Sequence, residues 1–422
     1  MQETPPNTFT GYQKFIIAIL AIVQFTVILD FMVLSPLGAI LLKELSITTS
    51  QFSLVVSAYA FSAGAAGLLS AGFADKFDRK KILLFFYVGF IFGTLLCGIA
   101  PDYEFLLMAR VVTGIFGGVM SSISFAIITD LFAIEFRGRV MGFVQMAFAS
   151  SQVLGIPLGL FLANMFNWHA PFQMIVGLSI VVAIMISIYM KPIDGHLKLQ
   201  NKSNAFQHLK AIFSNANYLK AFAATTLLAT GGFMLMPFGS AFGVHNLGIS
   251  ITQLPYLYMV TGVCMLFASP VIGKLSDKIG KFKMFIVGSV ITSIMTLIYC
   301  NLGITPLWAI MILNVLLFVG ITGRMISASA LMTAVPEPQD RGGFMGVNAS
   351  VQQIAGGVAS IIAGLIVKET TSGYLDNYGT LGNVVVLAVF LTIFLMYNLH
   401  KYILTKQGPP VTPVPVVSSE AV

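Results

Sequence analysis

Long apolar runs, separated by short polar segments, make up most of this chain. Twelve runs are long enough to cross a hydrocarbon core of roughly 30 Å, which takes about 20 helical residues. They cover residues 15–42, 52–74, 82–100, 104–132, 140–163, 171–190, 219–243, 254–276, 283–302, 306–334, 343–367 and 380–403. The pattern predicts an all-α membrane protein with twelve transmembrane helices, called spans one to twelve below.

Two short basic segments between runs occur twice. Residues 71–81 (AGFADKFDRKK) return as residues 273–283 (GKLSDKIGKFK), and 137–142 (RGRVMG) return as 341–346 (RGGFMG). The two copies stand roughly 200 residues apart in both cases, which indicates a duplicated unit. We therefore expect two six-helix bundles.

The composition fits a protein surrounded by lipid. The chain is 57% hydrophobic and 9% charged, with a mean hydropathy of +0.90, whereas soluble domains have about 25% charged residues. Cys97, Cys264 and Cys300 lie within apolar runs and lack the spacing of metal ligands, so we interpret them as small buried side chains. No metal site, disulfide or cofactor is expected.

The basic residues predict the orientation. If both termini are cytosolic, all lysines and arginines fall in cytosolic segments except Lys43, Lys368 and the intramembrane Arg110 and Arg324. The positive-inside rule favours this topology. It places the protein in the cell membrane, the inner membrane if the source is bacterial, and accounts for the net charge of +7 without nucleic acid.

These boundaries divide the chain into five parts. We expect a cytosolic tail over 1–14, a six-helix bundle over 15–190, a cytosolic linker over 191–218, a second bundle over 219–403 and a disordered cytosolic tail over 404–422. Within the linker, apolar residues at Phe206, Leu209, Ile212 and Phe213 predict a short amphipathic helix at the membrane interface. No leader segment is expected to be removed from the N-terminus.

Asp30 is the one carboxylate deep within a run. At 1.5 Å per residue, Asp30 stands roughly 22 Å and Arg110 roughly 21 Å above the inner end of the core, so the two can be neighbours. A charge at such depth costs at least ~2.5–3.5 kcal/mol, and such residues usually pair and serve function. The pair is either a static link between spans one and four or a proton site, in which Asp30 carries the proton and Arg110 tunes it. Arg324 either extends towards lipid headgroups or faces a cavity.

The substrate is only weakly specified. The candidate cavity residues are polar or apolar side chains inside the runs: Gln24, Phe31, Gln145, Gln152, Met234, Asn314, Arg324, Asn348 and Gln352. One acid among many Met and Phe residues suits lipophilic or cationic compounds, although such apolar side chains also serve packing in membrane helices. The two tryptophans are fewer than we expect in a sugar carrier.

The paired hairpins, with the two halves and the central linker, resemble the major facilitator superfamily over about residues 11–405. The second hairpin matches the motif of this family at Gly273, Asp277, Lys278, Gly280 and Lys281, whereas the first has Ala71 and Asp78 at the glycine positions. Residues 29–38 (LDFMVLSPLG) and 107–114 (LMARVVTG) resemble motifs of the twelve-span drug:proton antiporters and their sugar-efflux relatives. Residues 154–159 (LGIPLG) match the antiporter motif in part, because Ile156 separates its Gly and Pro.

The resemblance implies a cytosolic latch between the halves. Asp75 would meet the N-terminus of span eleven, Arg79 would pair with Asp130, and Asp277 and Lys281 would mirror this in the second half. The alternative is that these charges only set the topology.

The sequence leaves three candidate functions to compare. The first is a proton-coupled exporter of small molecules that works by alternating access as a monomer, with a small-molecule substrate and protons as its partners. The second is a sugar or other nutrient transporter of the same superfamily. The third is a membrane enzyme or receptor, and the sequence favours neither. The five histidines are scattered without catalytic or metal-binding spacing, and no segment between the runs is long enough for the soluble domain expected of a receptor.

Overall fold

The computed structural model describes residues 9–70, 77–195, 197, 205–337, 340–371 and 373–407. In the first half the helices are α1 (Gly11–Val33), α2 (Gly38–Glu44), α3 (Thr49–Ser70), α4 (Arg79–Cys97), α5 (Tyr103–Gly117), α6 (Met120–Leu131), α7 (Ile134–Ser150), α8 (Ile156–Met165) and α9 (Ala170–Tyr189). In the linker and second half they are α10 (Ala205–Ser214), α11 (Ala216–Leu235), α12 (Gly239–His245), α13 (Leu254–Ile279), α14 (Lys281–Cys300), α15 (Leu307–Thr333), α16 (Arg341–Ile366) and α17 (Tyr378–Gln407).

Eleven helical segments of the described residues are long and apolar enough to cross a membrane, and Ser151–Met165 forms a shorter apolar one. The shorter segment continues α7, so the two together make span five. The prediction of an all-α membrane protein is confirmed, with one small exception. Strands β1 (Lys368–Glu369) and β2 (Leu375–Asp376) pair in antiparallel fashion between α16 and α17.

Span one is not the single helix predicted over 15–42. Helix α1 begins at a capping box formed by Thr10 and Gln13 and ends at Val33, and α2 starts only at Gly38. Pro36 lies in the turn between them, because a proline lacks the N–H that an unbroken helix needs. Span seven is interrupted in the same way, by a 3₁₀ turn over Met236–Phe238 that contains Pro237.

The two interruptions lie against each other and join the halves. Ser240 Oγ donates a hydrogen bond to the carbonyl of Ser35 at 3.0 Å. Ser35 Oγ in turn donates to the carbonyl of Met236. A Cβ on Gly38 would stand 3.1 Å from the carbonyl oxygen of Pro237, so a larger residue would push the two breaks apart by a few tenths of an ångström. The breaks that interrupt the helices therefore also hold the two bundles together.

Span five contains a π-helical segment, Ser151–Gly155, between α7 and α8. Its wider turn is visible in the bond from the Ile156 N–H to the carbonyl of Ser151, five residues back. Gly155 packs on Leu29, beside Asp30, and residue Val153 packs on Gly262 of the second half. Such bulges often occur at functional positions of membrane and soluble helices.

The two basic hairpins differ at one equivalent position, which is Asp78 in the first hairpin and Gly280 in the second. Gly280 has φ +100°, a conformation that favours glycine. Asp78 has φ −54° and instead caps α4, accepting a hydrogen bond from the Lys81 N–H at 3.0 Å. Its other carboxylate oxygen accepts from the Ile193 N–H at 2.9 Å. The first hairpin thus uses a capping aspartate where the second uses a left-handed glycine.

The molecule has two distinct ends. We call the end that carries Arg79, Lys281 and Lys406 the basic end, and the end that carries the breaks at Pro36 and Pro237 the opposite end. Hydrogen bonds between the halves extend from the middle to the opposite end in the described residues. They run from Ser57 to Gly357 at 2.9 Å, from Ser50 to Gly364 at 2.9 Å, from Thr49 to Val367 at 2.8 Å and from Asn164 to Ile251 at 3.1 Å. The opposite end is therefore closed.

Three predictions concern segments that lie partly or wholly outside the described residues. The amphipathic helix of the linker is present as Ala205–Ser214, while Ser203 and Asn204 lie outside. Helix α17 extends to Gln407, beyond the predicted start of the tail at 404, and 408–422 lie outside. Asp75 of the expected latch also lies outside.

Candidate functional site

Asp30 and Arg110 form an ion pair in the interior of the first half. Arg110 Nη1 lies 2.7 Å from Asp30 Oδ2, and neither side chain has any exposed surface. Thr94 Oγ1 donates to the other carboxylate oxygen at 3.2 Å. The pair joins α1, α4 and α5, which are spans one, three and four.

The surrounding helices approach closely at glycines. A Cβ on Gly93 would stand 2.7 Å from the backbone of Thr113, and one on Gly114 would stand 2.5 Å from the carbonyl oxygen of Tyr59. These two contacts bring α4 and α3 against α5 on either side of Arg110. Small residues allow such approach in membrane helices. The arginine is therefore enclosed by backbone and cannot extend to water in this conformation.

The guanidinium of Arg110 is only partly satisfied. Nη1 is the nitrogen that contacts the carboxylate, while Nε and Nη2 have no hydrogen-bond partner in the described structure. The Tyr59 ring lies under the guanidinium, with 4.5 Å from Arg110 Cζ to the ring centroid. A cation over an aromatic face is stabilised by the ring quadrupole, which replaces part of the missing hydration.

Tyr59 is also the first of a series of aromatic rings that reaches the second half. Its ring centroid is 5.2 Å from that of Phe31, and Phe31 is 5.8 Å from Phe233 on α11. Phe233 is packed against Gly356 of α16. A continuous series of ring contacts therefore connects the buried ion pair with the interface between the halves.

Two of these residues, Thr94 and Tyr59, were missed by the sequence analysis. Both lie at about the depth of Arg110, since each is within roughly 10 Å of the same end of its run at 1.5 Å per residue. Depth is the available signal: a polar or aromatic side chain level with a buried charge is a candidate neighbour.

The residues expected at the basic end form local pairs. Arg79 Nε donates to Asp130 Oδ2 at 2.8 Å, joining α4 to α6, and the two side chains are 6% and 20% exposed. Asp277 contacts Lys281, four residues along the chain, across the turn at Gly280. Both pairs lie within one half.

The candidate cavity residues fall into three groups. Gln24, Met234 and Asn314 are enclosed within one half, where Gln24 donates to Ser124 at 3.1 Å and Asn314 donates to Thr261 at 2.7 Å. The second group is half-buried: Phe31, Gln152, Asn348 and Gln352. Asn348 accepts from Thr225 at 2.6 Å, and the side chain of Gln145 lies outside the described part.

Arg324, the remaining candidate, is 3% exposed and lies inside the second half. Its guanidinium does not extend to the surface, so the interpretation that it reaches lipid headgroups does not fit this structure.

The fold and this buried pair define a class of protein: a multi-pass membrane transporter with two helical halves. The family model described as Major Facilitator Superfamily matches residues 20–360 and 221–418. The chain belongs to the major facilitator superfamily, whose members are transporters and not enzymes.

Relatives agree with this assignment. The chain is 28% identical over 63% of its length to the uncharacterized MFS-type transporter YceJ of Bacillus subtilis (strain 168), covering 68% of that protein. It is 25% identical over 84% of its length to a bicyclomycin resistance protein homolog of Haemophilus influenzae, covering 89% of that protein. A bacterial homolog of the human lysosomal transporter Spinster, in an inward-facing and unoccupied conformation, matches 96% of this chain and 100% of its own with a TM-score of 0.76 at 15% identity.

Proposed function

We propose that this transporter exports small lipophilic or cationic molecules in exchange for protons, by alternating access across the cell membrane. The observation that carries the proposal is the fully buried Asp30–Arg110 pair, which places a single titratable carboxylate in the interior of the first half. Its charge changes on protonation, whereas an arginine keeps its proton. The drug-resistance name of the relative from Haemophilus influenzae is in keeping with export.

The incomplete pairing of Arg110 favours a switching site over a static link. A purely structural pair is expected to satisfy the guanidinium in a bidentate manner, but here Nε and Nη2 lack partners. When Asp30 accepts a proton, the ion pair is lost and Arg110 retains its contact with Tyr59. The free donors of Arg110 then allow a second arrangement of the site.

The ring contacts connect the proposed proton site with the interface between the two halves. A shift of Arg110 moves the Tyr59 ring, and Tyr59 packs on Phe31, which touches Phe233 of the second half. We propose that this conformation, closed at the opposite end, opens towards the basic end, which is the cytosolic side in the orientation that the positive charges favour. We propose that protonation of Asp30 biases the equilibrium between this conformation and one that is open at the opposite end.

The test uses the purified full-length protein in liposomes with an acidic interior. Proton-coupled exchange predicts that ethidium, a fluorescent lipophilic cation, accumulates inside the vesicles and that a protonophore abolishes the accumulation. A panel of sugars serves as the comparison. Proton movement driven by a sugar and not by the cation would favour a sugar transporter of the same superfamily, and ethidium accumulation unaffected by the protonophore would contradict proton coupling.

A further inference from the structure

Arg324 of α15 is a second buried arginine. Its side chain lies beside Gly231 of α11 and Phe285 of α14, and its nitrogens Nε and Nη2 have no hydrogen-bond partner in the described structure. The Phe285 ring centroid is 5.8 Å from Arg324 Cζ. The guanidinium is thus sealed from lipid but left without polar contacts for two of its nitrogens.

The helices of the second half, as the structure describes them, place no carboxylate beside this cation. Helices α11 to α17 contain one acidic residue, Asp277, and it contacts Lys281 at the basic end. A buried charge without a counter-charge is strongly destabilising. A group of opposite charge is therefore needed from outside the polypeptide.

In the first half, Arg110 has the counter-charge that Arg324 lacks in the described structure. Arg110 lies on span four and Arg324 on span ten, the corresponding helix of the duplicated unit. Span one supplies Asp30 to Arg110. Span seven, its counterpart, supplies Gly231 to Arg324, and a Cβ on Gly231 would stand 3.5 Å from Arg324 Nη1. The offset of roughly 200 residues relates Arg110 to the region of Asn314 and not to Arg324, so the two halves correspond here helix by helix and not residue by residue. The helix that supplies a carboxylate in the first half supplies a glycine in the second.

The surroundings of Gly231 set the size and charge of a suitable ligand. The same Cβ would stand 3.9 Å from Val385 and 4.0 Å from Val389, both ordinary van der Waals distances. A group at this position would meet one guanidinium and two aliphatic side chains, so a single negative charge is balanced and a second would remain unpaired. A planar carboxylate fits the fork of N–H donors on an arginine.

We propose that Arg324 and Gly231 form a binding site for one small monovalent anion, either free chloride or the carboxylate of a carried compound. The site lies in the second half, apart from Asp30, and does not depend on proton exchange there. If the carboxylate belongs to a carried compound, the transporter accepts molecules with an anionic group in addition to an apolar or cationic part.

The test measures the thermal stability of the purified full-length protein in detergent at constant ionic strength. Sodium chloride, sodium acetate and sodium benzoate are each compared with sodium methanesulfonate. A ligand that binds only the folded state raises Tm, and saturation of the site is expected to raise it by about 2 °C or more. A shift with chloride indicates the free ion, and a shift with the carboxylates alone indicates a carboxylate group of a carried compound.

The Gly231→Asp variant places a carboxylate on span seven within reach of Arg324. It is expected to have a higher Tm than the wild type in methanesulfonate and to lose the shift caused by added anions. Gly231→Ala is the matched control, since its Cβ meets only ordinary contacts and carries no charge; it is expected to lack this gain in Tm. Arg324→Gln is expected to remove the anion effect in folded protein.

Two results would overturn the proposal. One is a wild-type Tm that is the same in all four salts. The other is an anion-induced shift that persists unchanged in Gly231→Asp, because the anion would then bind elsewhere.

Discussion

At the residue scale, the guanidinium of Arg110 has more N–H donors than there are acceptors bound to it in the described structure. One nitrogen contacts Asp30, the ring of Tyr59 covers the guanidinium plane, and two nitrogens have no hydrogen-bond partner in the described structure. Removing one member of a buried ion pair commonly costs about 3–5 kcal/mol. The Tyr59 ring and the backbone carbonyl of Asp30, 3.5 Å from Nη1, are the contacts that Arg110 keeps in this conformation when Asp30 is neutral.

Tyr59 gives a prediction that separates positioning from packing. Tyr59→Leu removes the ring, so we expect the pH profile of ethidium transport to shift and the maximal rate to fall by about tenfold, the effect of ~1.4 kcal/mol. Tyr59→Phe keeps the aromatic face and should retain both the profile and most of the rate. The measurement is initial transport rate against pH in liposomes at matched protein content. A rate loss in Tyr59→Leu without any change in the profile would assign Tyr59 a packing role only.

At the element scale, two hairpins with related sequences are built differently. Asp78 caps α4 and also binds the Ile193 N–H, which fixes the start of α4 against the segment after α9. Arg79 follows directly and reaches Asp130 at the end of α6. The first hairpin thus ties three spans of its half together at the basic end, whereas Asp277 and Lys281 pair within their own hairpin.

The pair of Arg79 and Asp130 gives the second prediction. Arg79→Ala is expected to reduce transport by about tenfold while the protein still inserts and folds, because a partly buried ion pair biases the equilibrium between conformations by ~1.4 kcal/mol. Lys80→Ala is the control, since Lys80 is a half-buried neighbour that donates only to the Ser187 carbonyl in the described contacts. Transport by both variants is measured at equal membrane levels. Equal wild-type rates in the two would leave these charges with a role in topology alone.

The helices also show which features of the fold a sequence pattern can predict. Twelve apolar runs and the repeat predicted the helical membrane fold, because length and hydropathy are set by the bilayer. The breaks at Pro36 and Pro237 were visible as prolines but were not assigned as helix ends, since prolines in membrane helices are often tolerated. The π-helical segment Ser151–Gly155 had no comparable signal beyond the nearby Pro157.

At the scale of the whole molecule, the structure is closed at the opposite end. Hydrogen bonds such as Ser50 to Gly364 and Asn164 to Ile251 join the halves there. Alternating access requires these contacts to separate once per cycle. The same contacts were not predictable from sequence, because pairing between halves depends on which of two conformations the chain adopts.

This closure gives the third prediction. Asn164→Cys with Ile251→Cys, in a chain without native cysteines, places two thiols at a contact between the halves. Cross-linking them with a short thiol-cleavable reagent is expected to stop ethidium transport, and reduction is expected to restore it. Each single cysteine variant, treated identically, serves as the control. Full transport in the cross-linked protein would show that the opposite end does not need to open.

The burial of Asp30 was only partly foreseen at this scale. Depth estimates brought Asp30 and Arg110 to the same level, and the structure has them in contact at 2.7 Å. Both side chains are fully enclosed within the first half, which depth alone did not predict. Several expected cavity residues, such as Asn314, are enclosed in the same way because their polar groups find partners within one half.

Proton release on substrate binding tests the central claim most directly, because it needs neither a membrane nor a rate. Purified protein in weakly buffered detergent solution is mixed with ethidium while a pH indicator records released protons. If Asp30 carries the exchanged proton, the wild type releases up to one proton per molecule over the pH range in which Asp30 is protonated, and Asp30→Asn releases none, although it is folded and still binds the cation. Release of protons by Asp30→Asn equal to that of the wild type would contradict the account.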